Sequence, residues 1–570
     1  METREPAGTT TPTSASEVRP NGDILITSAS QASHRRSSAV PVLTSFDYVI
    51  VGAGSAGCVL ANRLSADGRS TVLLLEAGPR DTDFWIHVPL GYGKLFARTD
   101  VNWAFHSEPE PTLNGRRVFT PRGKVLGGSS SINGLVYIRG QREDFDSWGV
   151  PGWGFDDLLP YFKKSEDQSR GANAWHGVGG PLAVSDLPDR HEICDAFIAS
   201  AMALSIPRND DFNGATQEGA GYYQATARNG RRCSTAVGYL RPVQTRPNLR
   251  VEVEALATRV LFEGKRATGV AYEARGANHE VRAAREVILA GGTFNTPQLL
   301  QLSGVGPRAL LERHGIPLVH DAPGVGEDLQ DHFYCRTFWR CTRPITLNDD
   351  MLSLWRQAKI GAQYLLFRRG PLTVSAGYAG AFVRTRPDIA RPDAQIYFIN
   401  FSTAKRGGLL HPFSGFTISV SQTQVESRGS VHIASPDPHA APAIRYNYLA
   451  TENDRRVMVD GLKLIRRIAA AAPLREYVAA EEYPGPRVGS DEDWLAFARE
   501  AGDTVFHPTS TCRMGTDARA VVDTRLRVHG VERLRVVDAS VMPAVPSGNI
   551  NAAVIAVAEK ASELIGAEPR

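Results

Sequence analysis

The sequence predicts an α/β fold in which a Rossmann-like dinucleotide-binding domain is joined to a discontinuous α+β domain built on an antiparallel sheet. Three observations predict it. A glycine-rich loop lies between a buried strand and a helix, a second buried strand ends in an acidic residue, and a later region alternates apolar and polar residues. The length of 570 residues leaves room for both parts in one chain.

Composition and charge exclude several classes of protein. Hydrophobic residues make up 42% and charged residues 22%, which is a globular balance and excludes a wholly disordered chain. A net charge of only +3 argues against nucleic-acid binding as the main activity. The six cysteines lack metal-type spacing, so we predict neither a disulfide scaffold nor a metal site. Reduced cysteines favour a cytoplasmic location.

The first part of the chain differs in composition from the rest. Residues 1–44 are rich in Ser, Thr, Ala and Pro and contain no apolar core of a secretory signal, so we predict a disordered tail. No apolar stretch of the sequence approaches the roughly 18 residues that a membrane span needs.

A strand, a glycine-rich loop and a helix open the predicted ordered part. Asp47–Val51 is a β-branched run typical of a buried parallel strand, and it leads into the G-x-G-x-x-G loop Gly52–Gly57. Apolar residues then recur at helical spacing through Cys58–Ala66. A second buried strand, Thr71–Leu75, ends in Glu76, about 20 residues after the loop.

Each part of this unit has a physical reason in dinucleotide binding. Gly52 permits a tight turn, Gly54 lets the backbone approach a pyrophosphate, and Gly57 lets the helix pack closely on the strand. The N–H groups at the helix start, Ser55–Gly57, face that pyrophosphate. Glu76 can accept hydrogen bonds from ribose hydroxyls and would repel a 2′-phosphate, which disfavours NADP. The motif alone leaves FAD and NAD open.

Three further stretches carry a resemblance to a known family. Pro121–Gly134 is a second loop of glycine and serine, and Gly291–Pro307 follows the predicted strand Glu286–Ala290, with a helix expected to start near Pro297. Near the C-terminus a His-Pro pair in Val505–Gly515 precedes an Asn-Ile-Asn sequence at residues 549–551.

On these stretches the chain resembles the glucose–methanol–choline (GMC) family of FAD-dependent oxidoreductases. The family's two signature regions match Arg122–Gly140 and Gly292–Pro307, and the likeness runs from Phe46 to Gly566. Within the family the sequence looks closest to the choline dehydrogenases and the alkane-pathway alcohol dehydrogenases.

The resemblance implies FAD, bound non-covalently because Val118–Val125 holds neither His nor Cys for an attachment. It implies that the backbone of Val260 meets the adenine and that Asp538 lies beside the diphosphate or the ribityl chain. The residues that match cofactor-binding positions are Gly52, Gly54, Ser55, Ala56, Gly57, Glu76, Ala77, Trp103, Gly127, Gly128, Ser129, Asn133, Gly134, Val136, Val260, Asp538, Ala539 and Asn551.

The resemblance also implies the chemistry, which is oxidation of a primary alcohol to an aldehyde with hydride transfer to flavin N5. His507 would be the base, since imidazole titrates near neutrality. Asn549 is expected to hydrogen-bond the same hydroxyl, with Asn551 at the flavin edge, although these two assignments could be exchanged. His332 also matches a family motif, and we expect it to be structural, bonding within the FAD domain.

Several alternatives stay open at this point. On the same fold, a lyase of the hydroxynitrile type, a flavin photodecarboxylase and a catalytically silent FAD protein are alternatives to an alcohol oxidoreductase. The alcohol could be aliphatic, aromatic, choline or a glycol, and the electron acceptor oxygen or a quinone, with peripheral membrane contact allowed. Six aromatic residues of the region expected to roof the pocket could build an apolar channel or a cation–π cage, although most are expected to be core. They are Tyr334, Trp339, Trp355, Tyr364, Phe367 and Tyr378.

The predicted FAD-binding domain is discontinuous, with segments 45–161, 221–332 and 504–570, and the substrate domain takes up 162–220 and 333–503. Alternation in Gln395–Ile399 and Phe416–Val420 predicts antiparallel strands with one face covered. Helical spacing predicts a helix over Asp454–Ala472, and family likeness predicts one over Asn551–Gly566.

Overall fold

Two sheets of seven strands organise the residues that the computed structural model describes, 45–405 and 407–568. The predicted disordered tail, residues 1–44, lies outside the described residues. The strands are β1 (Ser45–Val51), β2 (Val72–Leu75), β3 (Phe105–His106), β4 (Phe119–Thr120), β5 (Glu166–Gln168), β6 (Leu182–Val184), β7 (Gly219–Tyr222), β8 (Ala227–Arg228), β9 (Arg231–Arg232), β10 (Leu249–Glu252), β11 (Ala255–Glu263), β12 (Arg266–Ala274), β13 (Ala277–Leu289), β14 (Val305–Gly306), β15 (His320–Asp321), β16 (Phe333–Cys341), β17 (Ala379–Val383), β18 (Ala394–Ile399), β19 (Gly415–Gln422), β20 (Ser430–His432), β21 (Ala443–Arg445), β22 (Val478–Tyr483), β23 (Asp503–Thr504) and β24 (Leu534–Val536). The helices are α1 (Ser55–Leu64), α2 (Phe84–His87), α3 (Tyr92–Leu95), α4 (Arg142–Asp146), α5 (Phe155–Ser165), α6 (Glu192–Ala203), α7 (Gly292–Leu302), α8 (Arg308–Arg313), α9 (Leu347–Met351), α10 (Leu354–Phe367), α11 (Glu452–Ala470), α12 (Asp491–Ala501) and α13 (Asn551–Gly566).

The first sheet has the order β10-β2-β1-β13-β12-β11, and β24 pairs with the end of β13. Strands β10, β2, β1, β13 and β24 run parallel, whereas β12 and β11 continue from β13 as an antiparallel meander. All four residues of β2 are buried, as a parallel strand covered on both faces requires. Helix α1 packs against β1, β2 and α13. The predicted α/β class is confirmed.

The second sheet has the order β22-β16-β19-β18-β17-β7, with β23 beside β16, and its pairs are antiparallel. The expectation that one face only would be covered is wrong, because every residue of β19 is buried. Helix α11 covers one face so closely that a Cβ on Gly461 would lie 2.8 Å from a Val420 methyl. The other face borders an internal cavity.

Helix α7 begins at Gly292, five residues before the predicted start at Pro297. A proline inside a helix removes the N–H that would bond the carbonyl four residues earlier, here that of Thr293. The Thr511 hydroxyl donates to this carbonyl at 2.7 Å and so replaces the missing bond. The helix therefore continues through the proline.

The two sheets draw on different parts of the chain. Strands of the first lie within 45–289 and 534–536, and strands of the second within 219–222 and 333–504. The predicted boundaries at 220/221 and 503/504 fall inside β7 and β23, and the division into domains stays a prediction. Among the described helices, none combines the length and the apolar character needed to cross a membrane.

Candidate active site

A cavity of about 930 Å³ lies between the two sheets. Its wall on one side includes Val51, Leu75 and Leu289, at the carboxyl ends of β1, β2 and β13. On the other side it includes Tyr334 and Tyr397, from β16 and β18. Open α/β sheets bind ligands at the carboxyl ends of their parallel strands, and the volume is near the top of the usual range of roughly 300–1,000 Å³ for small-molecule sites.

Two glycine loops meet backbone to backbone at the cavity wall. Gly52 has a φ of 100°, and a Cβ there would lie 2.6 Å from the carbonyl oxygen of Ala290. A Cβ on Gly128 would lie 2.7 Å from Gly54 Cα, so the second loop can approach the first only without a side chain. Gly54 caps α1 with no side-chain hydrogen bond, which leaves the helix start open toward an anion. This cradle fits a dinucleotide pyrophosphate.

Glu76 fixes the conformation of the loop Gly52–Gly57 through hydrogen bonds. Its carboxylate accepts the N–H of Ala53 at 2.8 Å and that of Gly78 at 2.9 Å. Burial raises the pKa of this carboxyl to about 7, although both N–H groups oppose the shift. Glu76 also lines the cavity, so the same side chain holds the loop in place and borders the cavity.

Asp538 and Asn551 are tied to neighbouring residues at the cavity wall. The Asp538 carboxylate accepts the N–H of Gly292 at 2.8 Å and the hydroxyl of Thr296 at 2.6 Å. Ser55, at the start of α1, donates its hydroxyl to Asn551 Oδ1 at 2.6 Å. The Asp538 bonds join the C-terminal segment to the start of α7, and the Asn551 bond joins it to the start of α1.

Most predicted cofactor-binding residues line this one cavity, although they come from distant parts of the chain. Gly57 and Gly127 are not among the lining residues and pack behind them against the two loops. Those that line the cavity are Gly52, Gly54, Ser55, Ala56, Glu76, Ala77, Trp103, Gly128, Ser129, Asn133, Gly134, Val136, Asp538, Ala539 and Asn551.

The predicted contact of Val260 with the adenine needs correction. Val260 is buried outside the cavity lining, and its N–H donates to Ser303 Oγ at 2.9 Å. The residues of β11 that line the cavity are 255–257 instead. They reach it because Ala255 N–H donates to the carbonyl of Glu76 at 2.8 Å, which holds the start of β11 beside the end of β2.

The predicted catalytic pair is assembled at the cavity wall. His507 Nε2 lies 3.1 Å from Asn549 Nδ2, and both residues line the cavity. Gln395 Nε2 lies 3.3 Å from Asn549 Oδ1, which orients the Asn549 amide so that its NH₂ group faces the imidazole. Asn551 points to Ser55 instead, so Asn549 is the asparagine beside His507.

A strained turn directs the His507 side chain. The preceding Phe506 has a φ of 72°, a conformation that costs a residue with a Cβ energy. Asp331 stabilises the turn by accepting the His507 N–H at 2.7 Å, and Arg122 donates to the Phe506 carbonyl at 2.8 Å. Burial raises the pKa of Asp331 to about 6, opposed by hydrogen bonds from the hydroxyls of Thr504 and Tyr448.

His332 contacts the candidate base, which lies in the same predicted FAD-binding domain. Its Nδ1 lies 3.0 Å from His507 Nδ1. Burial lowers the pKa of His332 to about 4, so this ring is neutral at pH 7. Because Asn549 donates to His507 Nε2, the His507 proton belongs on Nδ1, from which it is donated to His332. The lone pair of His507 Nε2, which accepts from Asn549 here, can take a proton when Asn549 donates to another acceptor.

Of the six aromatic residues that could have built a channel or cage, most were expected to be core, and one lines the cavity. Tyr334 lines the cavity, whereas Trp339, Tyr364 and Tyr378 are buried elsewhere. The remaining two, Trp355 and Phe367, are exposed on α10. The sequence identified the region that borders the cavity but not the direction in which each aromatic side chain points.

Comparison with known proteins identifies the family of the chain. Models of the GMC oxidoreductase family match residues 46–334 and 425–558 of the chain. The chain belongs to the GMC oxidoreductase family. It is therefore an oxidoreductase, and its cofactor is FAD, for which the glycine cradle and Glu76 supply a fitting site.

Relatives within the family are similar over nearly their full length. An alcohol dehydrogenase (acceptor) of Pseudomonas putida is 44% identical over 91% of this chain and 95% of its own. An oxygen-dependent choline dehydrogenase of Pseudomonas putida strain F1 is 44% identical over 91% and 94%. Both are oxidoreductases of CH–OH donors, and this chain is an enzyme of that class.

Among solved structures, a formate oxidase of Aspergillus oryzae, studied for the modification of its FAD, matches with a TM-score of 0.85. Its sequence is 27% identical, and the match covers 92% of this chain and 98% of the other.

Proposed function

We propose that this enzyme oxidises an uncharged primary alcohol to the aldehyde, with His507 as the base and Asn549 as its hydrogen-bonding partner. The observation that carries the proposal is the 3.1 Å separation of His507 Nε2 and Asn549 Nδ2 in the wall of the cofactor cavity. One hydroxyl oxygen can lie within hydrogen-bond reach of both atoms.

The proton step follows from the hydrogen bonds around the imidazole. Asn549 Nδ2 donates to the alcohol oxygen, and the alcohol O–H donates to the Nε2 lone pair of His507. As the proton moves to Nε2, the imidazole becomes positive, and its Nδ1–H stays bonded to the neutral His332 ring. FAD, when bound, supplies the acceptor for the hydride that leaves the carbinol carbon. The product is the aldehyde.

The charges of the cavity favour an uncharged substrate over a quaternary ammonium such as choline. Of the described lining residues, the acidic ones are Glu76 and Asp538, and both already accept protein hydrogen bonds on the cofactor side. On the opposite wall the guanidinium of Arg336 donates to the backbone carbonyl of Ala404 at 3.1 Å. A cationic alcohol would be repelled by this guanidinium, through an interaction that solvent partly screens because Arg336 is partly exposed.

Anaerobic mixing of the FAD-loaded enzyme with a panel of alcohols tests the proposed substrate class. We expect long-chain 1-alkanols or benzylic alcohols to bleach the flavin absorbance, and choline to do so at least tenfold less efficiently because of Arg336. Readmitted air, or an added quinone, then identifies the electron acceptor by the rate at which the colour returns. Efficient bleaching by choline alone would contradict the proposed class.

His332 is expected to act as a positioning residue for the base. His332→Leu removes the acceptor of the His507 Nδ1–H, and we expect flavin reduction to slow by about 10- to 100-fold, since hydrogen bonds to charged groups are worth about 1.5–3 kcal/mol. The rise of the rate with pH should also move to lower pH, because the protonated imidazole loses its partner. His332→Asn is the matched control: its Oδ1 can take the position of the ring Nδ1, and most of the rate should return. Equal rates and pH profiles in both variants and the unaltered enzyme would contradict the role.

A further inference from the structure

The outer face of α10 is apolar where a surface helix is normally polar. Gln357, Ile360 and Tyr364 form its inner face, which packs toward the protein. Helical periodicity places another set on the opposite, exposed side. This outer face consists of Leu354, Trp355, Ala358, Ala362, Leu365 and Leu366. Leu354 is 83% exposed, Trp355 79% and Leu366 73%, so the face is an apolar patch rather than a scatter of single residues.

Positive charge flanks this patch. Residues 351–371 contain Arg356, Lys359, Arg368 and Arg369 and no acidic residue. Neighbouring residues neutralise part of this charge. Asp350 lies 3.7 Å from Arg356, and Asp189, between β6 and α6, pairs with Arg369. Lys359 follows the apolar face directly around the helix. Apolar side chains bordered by cations are complementary to a bilayer surface with anionic headgroups.

The cavity opens toward the same surface. Its lining includes Met351 and Leu352, which precede α10, together with Gln357 on the helix itself. Leu409, which is 92% exposed, belongs to the same rim. A surface that covered the outer face of α10 would therefore also face one end of the cavity.

We infer that α10 and Leu409 form a docking surface for an anionic lipid bilayer, with the outer face of α10 lying in the headgroup region. A second copy of this chain is a poorer occupant, because a twofold contact would bring the same cations together and the helix offers no carboxylate to pair with them. The inference concerns where the enzyme works and does not depend on the proposed reaction.

Cosedimentation of the FAD-loaded full-length protein with vesicles tests this surface. We expect binding to vesicles of phosphatidylcholine with phosphatidylglycerol, weaker binding to phosphatidylcholine alone, and loss of the difference at high salt. The double variant Trp355→Gln/Leu366→Gln should bind about tenfold or more weakly to both kinds of vesicle, because less apolar area is buried. Lys359→Glu should weaken binding to the anionic vesicles only.

The matched control is Val178→Gln/Met202→Gln, which removes two exposed apolar side chains outside α10 and should leave vesicle binding unchanged. Flavin absorbance in the sedimented fraction verifies that each variant is folded. The inference is overturned if the unaltered protein stays in the supernatant, or if the α10 variants bind as it does. It is also overturned if light scattering shows a dimer that the α10 double variant dissociates while vesicles fail to bind.

Discussion

His507→Ala is expected to leave a folded, FAD-loaded enzyme whose flavin is reduced by an alcohol about 10²- to 10⁴-fold more slowly, the range typical of general-base catalysis. The reason is that His507 Nε2 is the basic atom beside Asn549 in the cavity wall, and alanine provides no acceptor for the hydroxyl proton. Stopped-flow measurement of anaerobic flavin reduction at saturating alcohol gives the limiting rate directly.

A surface histidine supplies the control for this experiment. His439 is exposed and pairs with Glu273, so His439→Ala should reduce the flavin at the unaltered rate. If His507→Ala also retained a near-normal limiting rate with full FAD content, His507 would be removed from the mechanism, and the hydroxyl proton would need another acceptor.

Gly128→Ala is expected to lower FAD affinity by about a hundredfold, because a methyl group there combines an unfavourable left-handed backbone with overpacking. Gly128 has a φ of 53°, and its added Cβ would lie 2.7 Å from Gly54 Cα, so the two cofactor loops would have to separate. The ratio of flavin to protein absorbance after dialysis, followed by FAD titration, measures the loss.

Gly489→Ala is the matched control, since a Cβ at Gly489 meets nothing within 4 Å. It should keep its FAD. Circular dichroism separates the loss of cofactor from the loss of fold in Gly128→Ala. Full FAD retention by that variant would contradict the close approach of the loops as the basis of cofactor binding.

Local spacing made much of this structure predictable. The loop Gly52–Gly57 and Glu76 could be predicted from a short stretch of sequence. Strand, turn, helix and strand follow one another there, and none of them depends on contacts with distant parts of the chain. The choice of His507 and Asn549 came from the family resemblance rather than from spacing, and the fold brings them together from 42 residues apart. The helix Asn551–Gly566 is confirmed at both of its ends.

The features that were missed depend on contacts across the chain. His332 meets His507 over a separation of 175 residues, and no local pattern encodes that contact. The left-handed conformation of Phe506 is imposed by Asp331 and Arg122, whose roles appear only once the turn is built. Val260 was chosen in the right strand at the wrong register, since a strand shows its faces but not which of its residues reach a distant ligand.

The face that α10 turns toward the protein is another feature that the sequence alone does not reveal. Apolar spacing shows that a helix has an apolar face, and burial of that face is the default interpretation. Here the face toward the protein consists of Gln357, Ile360 and Tyr364, and the more apolar side points outward. Only the packed structure distinguishes the two.

The most direct measurement of the central claim is a single anaerobic turnover of the FAD-loaded enzyme with a long-chain 1-alkanol carrying deuterium at C1. The account predicts that the flavin bleaches, that one aldehyde forms per flavin, and that deuterium slows the bleaching. A lyase would instead leave both the alkanol and the flavin unchanged, and would release aldehyde and cyanide from a cyanohydrin. Full FAD content without bleaching by any uncharged primary alcohol would contradict alcohol oxidation at this site.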